Sequence, residues 1–333
     1  MTMRYLVTGG AGFIGSHLCD ALVAEGNQVT ILDNLSTGRQ ENIEHLRAEA
    51  RLVHGSVLDE LLVDEAVRES DVVVHLAAAV GVRLIVERPL HSFLTNVRGA
   101  EVVLEAAHRY RRKVLVASSS EVYGKNGGPF REDDDRILGS NAVSRWSYAT
   151  SKAVDEILAL AYHRERGLPA VVVRLFNCVG PRQSSAYGMV LPNLVEQALA
   201  GRPLTVHGDG LQTRCFCHVR DVVNALLRLI HDPRAEGEVF NVGSTEEVSI
   251  LELARRVVSA TGSGSPVRLV PYDEAYGEGY EDMRRRIPDI SRVRALTGWE
   301  PRMSLDEVIT EVVVAADPSR EIGRPLVPVG ERR

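Results

Sequence analysis

Cysteine is scarce in this sequence. Its 333 residues include four cysteines, Cys19, Cys178, Cys215 and Cys217, which are too few and too scattered for a disulfide framework. Cys215 and Cys217, with the adjacent His218, could be taken for a metal site. In a strand, however, the two cysteines point to one face and His218 to the other, and no second cluster of ligand residues is present. The sequence therefore predicts cysteines that pack as small hydrophobic residues and no metal site.

Long apolar runs are also missing. No stretch reaches the roughly 18 residues that a membrane-spanning helix needs. The N-terminus enters a strand-like apolar run at Tyr5, where a signal peptide would carry a basic segment and a longer apolar one. We therefore expect a cytoplasmic protein that makes no membrane contact.

Positive charge is not in excess. The 39 basic and 45 acidic residues leave a net charge of −6, which gives no reason to expect nucleic acid or an anionic membrane as a partner. An anionic substrate must therefore be bound by local arginines. The length of 333 residues exceeds that of a usual single domain, so we expect one large domain and one smaller domain.

One stretch, from Tyr5 to Asp33, organises the chain. An apolar run leads into Gly9, Gly12 and Gly15, then into a helical pattern and a second apolar run that ends at Asp33. This spacing provides a tight turn, close approach of backbone N–H groups to a pyrophosphate, and close helix packing. The terminal carboxylate can accept both ribose hydroxyls and would repel a 2′-phosphate, which favours NAD over NADP. The alternative is an ordinary strand-to-helix turn.

Strand and helix patterns then alternate as far as Leu175. We expect further strands over 51–55, 71–76, 113–117 and 170–175, and helices over 40–47, 89–110 and 146–166. The run over 71–76 is almost continuously apolar, which is typical of a strand covered on both faces. The alternation predicts an α/β fold with a doubly wound, Rossmann-type parallel sheet, in which ligands bind at the carboxyl ends of the strands.

The alternation loosens after Arg182. We expect helices over 191–200, 221–231, 249–260, 291–296 and 304–316, and strands over 204–207, 214–218, 239–242 and 267–270. These patterns predict an NAD-binding domain over 1–178, to which segments near 215–245 return. They also predict a smaller mixed α/β domain over 179–316 for the substrate, and a loosely ordered tail over 317–333.

Tyr148 and Lys152 stand four positions apart at the start of a predicted helix and therefore share one face. The ammonium group, together with an oxidised nicotinamide ring, is expected to pull the tyrosine pKa below about 10. Tyr148 could then act as a general base on a sugar hydroxyl, with Ser119 as the hydrogen-bond partner of that hydroxyl. The alternatives are a solvated helix face for the pair and, for Ser118, a bond to the backbone at the strand end.

Ordered motifs extend over nearly the whole chain: TGGAGFIG, DNLSTG, HLAA, SSSEVYG, YATSK, RLFNCVGPR, QTRCFCHVRD, RRRIPDIS and GWEP. They resemble the extended short-chain dehydrogenase/reductase superfamily, in its branch of NAD-dependent nucleotide-sugar epimerases, dehydratases and decarboxylases. The resemblance implies that NAD takes hydride from sugar C4 to give a 4-keto intermediate. It also implies that Tyr148 is the base, that Lys152 holds the ribose and tunes Tyr148, and that Ser119 assists.

The resemblance further implies a set of cofactor-binding residues. They are Gly9, Gly12, Phe13, Ile14, Gly15, Asp33, Asn34, Ser36, Thr37, Gly38, Ser56, Val57, Leu76, Ala77, Ala78, Asn96, Tyr148 and Lys152. At the position of Ser56 the family usually has an aspartate that touches the adenine, so the chain departs from the family pattern there.

For the nucleotide sugar, the family pattern places Asn177 and Arg214 on the diphosphate. One of the three arginines over 284–286, with Arg286 as the candidate, is expected on a phosphate, because the planar guanidinium suits that group. A solvated basic run is the alternative. Arg182 is a candidate for binding a substrate carboxylate. The expected substrate-binding residues are Val80, Ser119, Asn177, Arg182, Leu191, Pro192, Val206, Arg214 and Arg286, of which Leu191, Pro192 and Val206 surround the base.

The run Ser119, Ser120 and Glu121 bears on the reaction that follows C4 oxidation. A 4,6-dehydratase of this branch uses Thr-Asp-Glu, whose aspartate is missing here. A decarboxylase uses Thr-Ser-Glu and an arginine shortly before Pro-Asp-Ile, to which Arg286 corresponds. A 4-epimerase only lets the ketose turn over, and Ser119 with YATSK resembles that group.

We favour C4 epimerisation of UDP-glucuronate to UDP-galacturonate. Decarboxylation of UDP-glucuronate to UDP-xylose is the main alternative, followed by 4-epimerisation of UDP-glucose. A non-enzymatic NAD-binding scaffold is disfavoured by the presence of Ser119, Tyr148 and Lys152. By resemblance we also expect a homodimer joined through helices near 89–110 and 148–166, although the same helices could simply cover the sheet.

Overall fold

The computed structural model describes residues 2–186, 188–276 and 282–319. Its strands are β1 (Arg4–Thr8), β2 (Gln28–Asp33), β3 (Ala50–His54), β4 (Val72–His75), β5 (Lys113–Ser119), β6 (Ala170–Leu175), β7 (Cys178–Val179), β8 (Leu204–His207), β9 (Thr213–Arg214), β10 (Cys217–His218), β11 (Val239–Val242), β12 (Val248–Ser249), β13 (Val267–Val270) and β14 (Arg285–Arg286). Seven of them form one sheet in the order β11, β6, β5, β4, β1, β2, β3. Every neighbouring pair in this sheet is parallel, which confirms the predicted doubly wound fold.

Helices cover both faces of the large sheet. The helices are α1 (Phe13–Ala24), α2 (Glu60–Arg68), α3 (Val82–Glu87), α4 (Pro89–Arg109), α5 (Arg145–Arg166), α6 (Val190–Leu199), α7 (Val219–His231), α8 (Ile250–Thr261), α9 (Tyr272–Tyr276), α10 (Ser291–Thr297) and α11 (Leu305–Ala316). Helices α1 and α7 pack on one face, and α2, α4 and α5 pack on the other. No helix within the described residues is both long enough and apolar enough to cross a membrane.

Strand β4 explains why the central strands are continuously apolar. Val72 and Val74 belong to the hydrophobic core shared with α1 and α7, whereas Val73 belongs to the core shared with α2, α4 and α5. Successive side chains of a strand point to opposite faces. Because both faces are covered, neither set can be polar.

Apart from the cores on the two faces of the sheet, a further hydrophobic core, which we call the second core, lies beside the sheet. It is formed by α6, β8, α8 and α11, with Leu194, Val206, Leu253 and Val312 among its fully or nearly fully buried members. The part of the chain between β8 and α8 returns to the large sheet, since α7 packs on α1 and β11 pairs with β6. The predicted tail over 317–333 falls outside the described residues from 320 onward.

The prediction of a helix over 40–47 is wrong. Two short 3₁₀ turns, Gln40–Asn42 and Glu44–Leu46, occupy this segment. Asn42 Nδ2 donates to the carbonyl of Ala11 at 2.9 Å, so the segment is anchored to the glycine-rich turn. The predicted strand over 214–218 is also split, because β9 pairs with β12 and β14 while β10 pairs with β7.

Candidate active site

A cleft of about 580 Å³ lies at the carboxyl ends of the parallel strands, between the large sheet and the second core. In an open parallel sheet, ligands bind at this edge, where the loops that follow the strands surround them. The loops after β1, β4, β5 and β6 carry the predicted motifs TGGAGFIG, HLAA, SSSEVYG and RLFNCVGPR. The fold therefore brings motifs that are far apart in sequence to one edge.

The glycine-rich turn has no room for side chains. Gly9 has φ of +72°, and a Cβ there would lie 2.8 Å from the backbone nitrogen of Ala77. A Cβ on Gly15 would lie 2.2 Å from the carbonyl oxygen of Gly9. Helix α1 begins at Phe13, directly after Gly12, so its free N–H groups open toward the turn. This arrangement fits a dinucleotide pyrophosphate.

Asp33 stands at the end of β2 with its carboxylate held by the backbone. Its Oδ2 accepts from Ala11 N at 2.9 Å and its Oδ1 accepts from Leu35 N at 2.8 Å. A Cβ on Gly38 would lie 2.9 Å from the same carboxylate. The remaining lone pairs suit the ribose hydroxyls of NAD. The other predicted residues of this loop, Asn34, Ser36 and Thr37, are exposed or half-buried beside it.

Three of the predicted cofactor residues, Ser56, Val57 and Asn96, are not among those that line the cleft. Asn96 does not line the cleft; its Oδ1 accepts from Ala79 N at 2.8 Å and its Nδ2 donates to Ser151 Oγ at 3.2 Å. It therefore ties the loop after β4 to α5. Ser56 Oγ accepts from the backbone N–H two residues later at 3.2 Å, and Val57 is buried against α4. By contrast, Phe13, Ile14, Leu76, Ala78, Tyr148 and Lys152 line the cleft.

Ser119, Tyr148 and Lys152 meet at the cleft floor. Ser119 ends β5, and Tyr148 and Lys152 lie one turn apart near the start of α5. Lys152 Nζ donates to the carbonyl of Ala117 at 2.9 Å and to Asp155 Oδ2 at 3.0 Å. Tyr148 is 7% exposed and Lys152 is 3% exposed, so both work in a largely desolvated environment.

The expected lowering of the Tyr148 pKa is not what the protein alone produces. Burial raises the pKa of Tyr148 above its usual value and outweighs the charge of Lys152 and the hydrogen bond with Ser119, both of which lower it. Glu121 and Asp155 raise it further. Burial lowers the pKa of Lys152, but the carboxylate of Asp155 and the phenol of Tyr148 more than offset this, so the net shift is upward.

Arg286 reaches the cleft from β14. It donates one hydrogen bond to Glu121 Oε1 and another to Asn177 Oδ1. Its two neighbours lie outside: Arg284 pairs with Asp209, and Arg285 pairs with an acidic side chain before β12. Arg286 is the one member of the run over 284–286 that lines the cleft. A guanidinium in this position can bind a carboxylate or a phosphate.

Arg214 lies deeper on the same wall. It is 6% exposed, and its Nη2 donates to Asp282 Oδ2 at 2.8 Å. Burial lowers the pKa of Arg214, an effect that the Asp282 carboxylate opposes. The hydroxyl of Tyr272 also donates to this carboxylate, at 3.1 Å. Asp282 therefore fixes the direction of the Arg214 guanidinium.

Two predicted substrate residues do not line the cleft. Arg182 forms an ion pair with Asp20 on α1 at 2.8 Å, so its guanidinium is used away from the cleft. Val206 is fully buried in the second core, whereas Thr205 and His207 on either side of it line the cleft. The period of two along β8 explains this, because a residue and its neighbours face opposite ways.

Sequence reasoning missed several cleft residues. They are Gly81, Ile85, Gln183, Asn193, Thr205, His207, Gln212, Tyr272 and Asp282. The motif QTRCFCHVRD contains Gln212, whose Nε2 donates to the carbonyl of His207 at 2.8 Å, so that motif held a signal. Asp282 follows Arg214 by 68 positions, and no local pattern links the two.

The four cysteines are free thiols. Cys19, Cys215 and Cys217 are buried, and Cys178 is half-buried at the cleft wall. Burial raises the pKa of each of these thiols. In the part of the chain that the structure describes, no group of three or more His, Cys, Asp or Glu side chains is arranged to hold a metal ion.

A family model described as the NAD dependent epimerase/dehydratase family matches residues 5–243. Among proteins of known activity, the chain is 41% identical to UDP-N-acetyl-alpha-D-glucosaminuronate decarboxylase of Bacillus cytotoxicus, over 94% of this chain and 97% of that protein. It is 36% identical to UDP-glucuronic acid decarboxylase 1 of Danio rerio, over 93% of this chain and 72% of that protein.

A solved structure with the same fold is that of UDP-glucuronic acid 4-epimerase from Bacillus cereus, in complex with UDP-glucuronic acid and NAD. It superposes with a TM-score of 0.85 at 29% identity, over 95% of this chain and all of that chain (100%). Together with the family match, this confirms the predicted cofactor, NAD.

Proposed function

Because the chain belongs to the NAD dependent epimerase/dehydratase family, we propose that it oxidises C4 of a UDP-hexuronate and then releases the C6 carboxylate as carbon dioxide. The observation that carries the proposal is the position of Arg286, which is hydrogen-bonded to Glu121 and Asn177 in the cleft that Ser119 also lines. The two relatives above are named as decarboxylases. Decarboxylation therefore replaces 4-epimerisation, which the sequence alone favours, as the first candidate.

Tyr148 serves as the base in the first step. The C4 hydroxyl of the sugar gives its proton to the phenolate, while Ser119 holds the same oxygen with a hydrogen bond. Lys152 favours the phenolate because its ammonium lowers the pKa of Tyr148. When bound, NAD supplies the acceptor for the C4 hydride and returns that hydride at the end.

Loss of the carboxylate follows from the ketone at C4. The C6 carboxylate is then that of a β-keto acid, so the C5–C6 bond can break and its electron pair can move through C5 to the C4 oxygen. The hydroxyl groups of Tyr148 and Ser119 stabilise the negative charge on that oxygen. Arg286 orients the carboxylate before it leaves. C5 takes a proton relayed from solvent, a task that we assign to Glu121. When C4 regains its hydride, Tyr148 returns the proton to the C4 oxygen, which gives a UDP-pentose.

The rest of the cleft suits a nucleoside diphosphate. Arg214 and Asn177 provide a guanidinium and an amide for the diphosphate. Leu191 and Pro192, at the start of α6, provide an apolar wall for the base. In place of the predicted Val206, the adjacent His207 offers a polar group at this wall.

A 4-epimerase acting on a UDP-hexuronate is the second candidate. It is favoured by the match to the Bacillus cereus UDP-glucuronic acid 4-epimerase over nearly the whole chain. The two reactions share Tyr148, Lys152 and the C4 ketone. They differ in whether the C5–C6 bond breaks before hydride returns.

We also propose a homodimer formed through α4 and α5. Leu90 and Leu94, one turn apart on α4, are 70% and 52% exposed, and Ile157 on α5 is 54% exposed. Apolar side chains exposed on adjacent helices suit a self-complementary interface related by a twofold axis. Light scattering of the purified protein should give twice the mass of the chain.

The reaction is tested by incubating the purified protein and NAD with UDP-glucuronate and, separately, with UDP-N-acetylglucosaminuronate, and following the products by proton NMR. We expect carbon dioxide and the matching UDP-pentose from at least one of the two. UDP-galacturonate or its 2-acetamido counterpart, formed without carbon dioxide, would return the assignment to a 4-epimerase. Tyr148→Phe is the control, and it should bind NAD without turnover.

A further inference from the structure

Asp155 carries a carboxylate that is buried completely beside the catalytic lysine. It lies three residues after Lys152 on α5 and is 0% exposed. Its Oδ2 accepts from Lys152 Nζ at 3.0 Å, and its Oδ1 has no hydrogen-bond partner among the residues that the structure describes. A buried charge is costly unless it is both paired and fully hydrogen-bonded. Since half of this carboxylate is not, its charge calls for an explanation other than fold stability.

The carboxylate and a strand carbonyl together hold the ammonium of Lys152. Lys152 Nζ donates both to Asp155 and to the carbonyl of Ala117, a residue of β5 that stands two positions before Ser119. The ammonium therefore has a fixed position. The positive charge of Lys152 stabilises the Tyr148 phenolate. The Asp155 carboxylate, which accepts a hydrogen bond from Lys152 Nζ at 3.0 Å, compensates part of that charge.

Other charged groups around the pair have weaker or separate effects. They are Tyr148 and Glu156 on α5, Glu121 after β5 and His75 on β4. Glu156 is already paired with Arg174 at 2.8 Å, and burial lowers the pKa of His75 to about 3, so its ring is neutral. On α4, Asn96 donates to Ser151 Oγ, and neither of these side chains is ionisable. Asp155 is thus the anion that acts most strongly on Lys152.

We propose that Asp155 is a positioning residue that sets the pH range of C4 oxidation, by holding the Lys152 ammonium in place and compensating part of its charge beside Tyr148. The inference rests on Tyr148 being the base in the proposed function. It is independent of whether decarboxylation or epimerisation follows. The residue does not touch the substrate and acts through Lys152.

Asp155→Asn removes the charge and keeps an oxygen that can accept from Lys152. Loss of the anion makes the Tyr148 phenolate easier to form and the Lys152 ammonium easier to deprotonate, since both pKa values are raised by Asp155. Both limbs of the pH profile of kcat/KM should therefore move to lower pH, by about one pH unit. At a fixed pH on the acid limb, this corresponds to about tenfold more phenolate.

The experiment measures two quantities on the NAD-bound protein. The first is the pH profile of kcat/KM with the UDP-hexuronate that turns over. The second, which needs no turnover, is the ultraviolet titration of tyrosinate, taken as the difference between each protein and its Tyr148→Phe form. Glu165→Gln, an exposed acid on the same helix, is the matched control and should leave both unchanged. Asp155→Ser, which also removes the charge, is the second variant.

A downward shift of the Tyr148 titration in either folded variant, absent in Glu165→Gln, supports the role of Asp155. A lower rate at every pH with no shift in profile or titration would overturn it, because a purely structural role predicts that result. The titration also separates the two hypotheses. If it shifts while neither UDP-hexuronate reacts, the proposed function fails, and what stands is the effect of Asp155 on the ionisation of Tyr148.

Discussion

Arg286→Ala tests the group that distinguishes decarboxylation from simple C4 oxidation. The side chain of Arg286 is 14% exposed and that of its partner Glu121 is 11% exposed, so the contact is largely shielded from solvent. A hydrogen bond to a charged group contributes about 1.5–3 kcal/mol. If the substrate carboxylate takes such a bond from Arg286, its loss should lower kcat/KM for carbon dioxide release by about 10- to 150-fold.

The assay for this prediction is release of labelled carbon dioxide from UDP-hexuronate labelled at C6. Arg284→Ala is the matched control, because Arg284 pairs with Asp209 outside the cleft and is 69% exposed; its rate should stay within about twofold of the parent, as expected for an exposed ion pair. NAD binding should be equal in both variants. Equal rates for the Arg286 and Arg284 variants would refute the assigned role of Arg286.

Three further predictions concern cofactor binding, stability and assembly. Gly15→Ala places a Cβ 2.2 Å from the carbonyl oxygen of Gly9 and should weaken NAD binding by about tenfold or more. Calorimetry measures this, with Gly264→Ala as the control, because a Cβ on Gly264 meets no atom within 4 Å. Arg174→Met leaves Glu156 buried without its partner and should lower the free energy of unfolding in urea by about 3–5 kcal/mol; a loss below 1 kcal/mol would contradict this. Leu94→Glu should convert the dimer to a monomer in light scattering, and an unchanged mass would place the interface elsewhere.

The features that could be predicted from sequence are those with local causes. Gly15 stands a few residues after Gly9, whose carbonyl oxygen leaves no room for a side chain there, so the spacing of the glycines predicts the tight turn. The four-residue separation of Tyr148 and Lys152 likewise defines one helix face. The fold class could be predicted from the alternation of strands and helices, because each kind of element has its own pattern of apolar residues along the chain.

The features that could not be predicted depend on distant contacts. Arg182 follows Gly-Pro and is therefore predicted to bind a substrate carboxylate. In the structure its guanidinium forms an ion pair with Asp20 on α1. The predicted helix over 40–47 is absent from a segment that is hydrogen-bonded to the glycine-rich turn through Asn42. The pKa of Tyr148 depends on burial, which a sequence does not report, and that burial outweighs the lysine charge. The role of Asp155 could not be predicted either, because it depends on the complete burial of the side chain.

The most direct measurement of the central claim is the position of deuterium in the product formed in D₂O. If the C4 ketone is formed and the C5–C6 bond then breaks, C5 must take one proton from an exchangeable source, while C4 regains the hydride that it gave up. NMR should therefore find a UDP-pentose with a single deuterium at C5 and none at C4. A UDP-hexuronate epimerised at C4 and free of deuterium would contradict decarboxylation, and deuterium at C4 would contradict return of the same hydride.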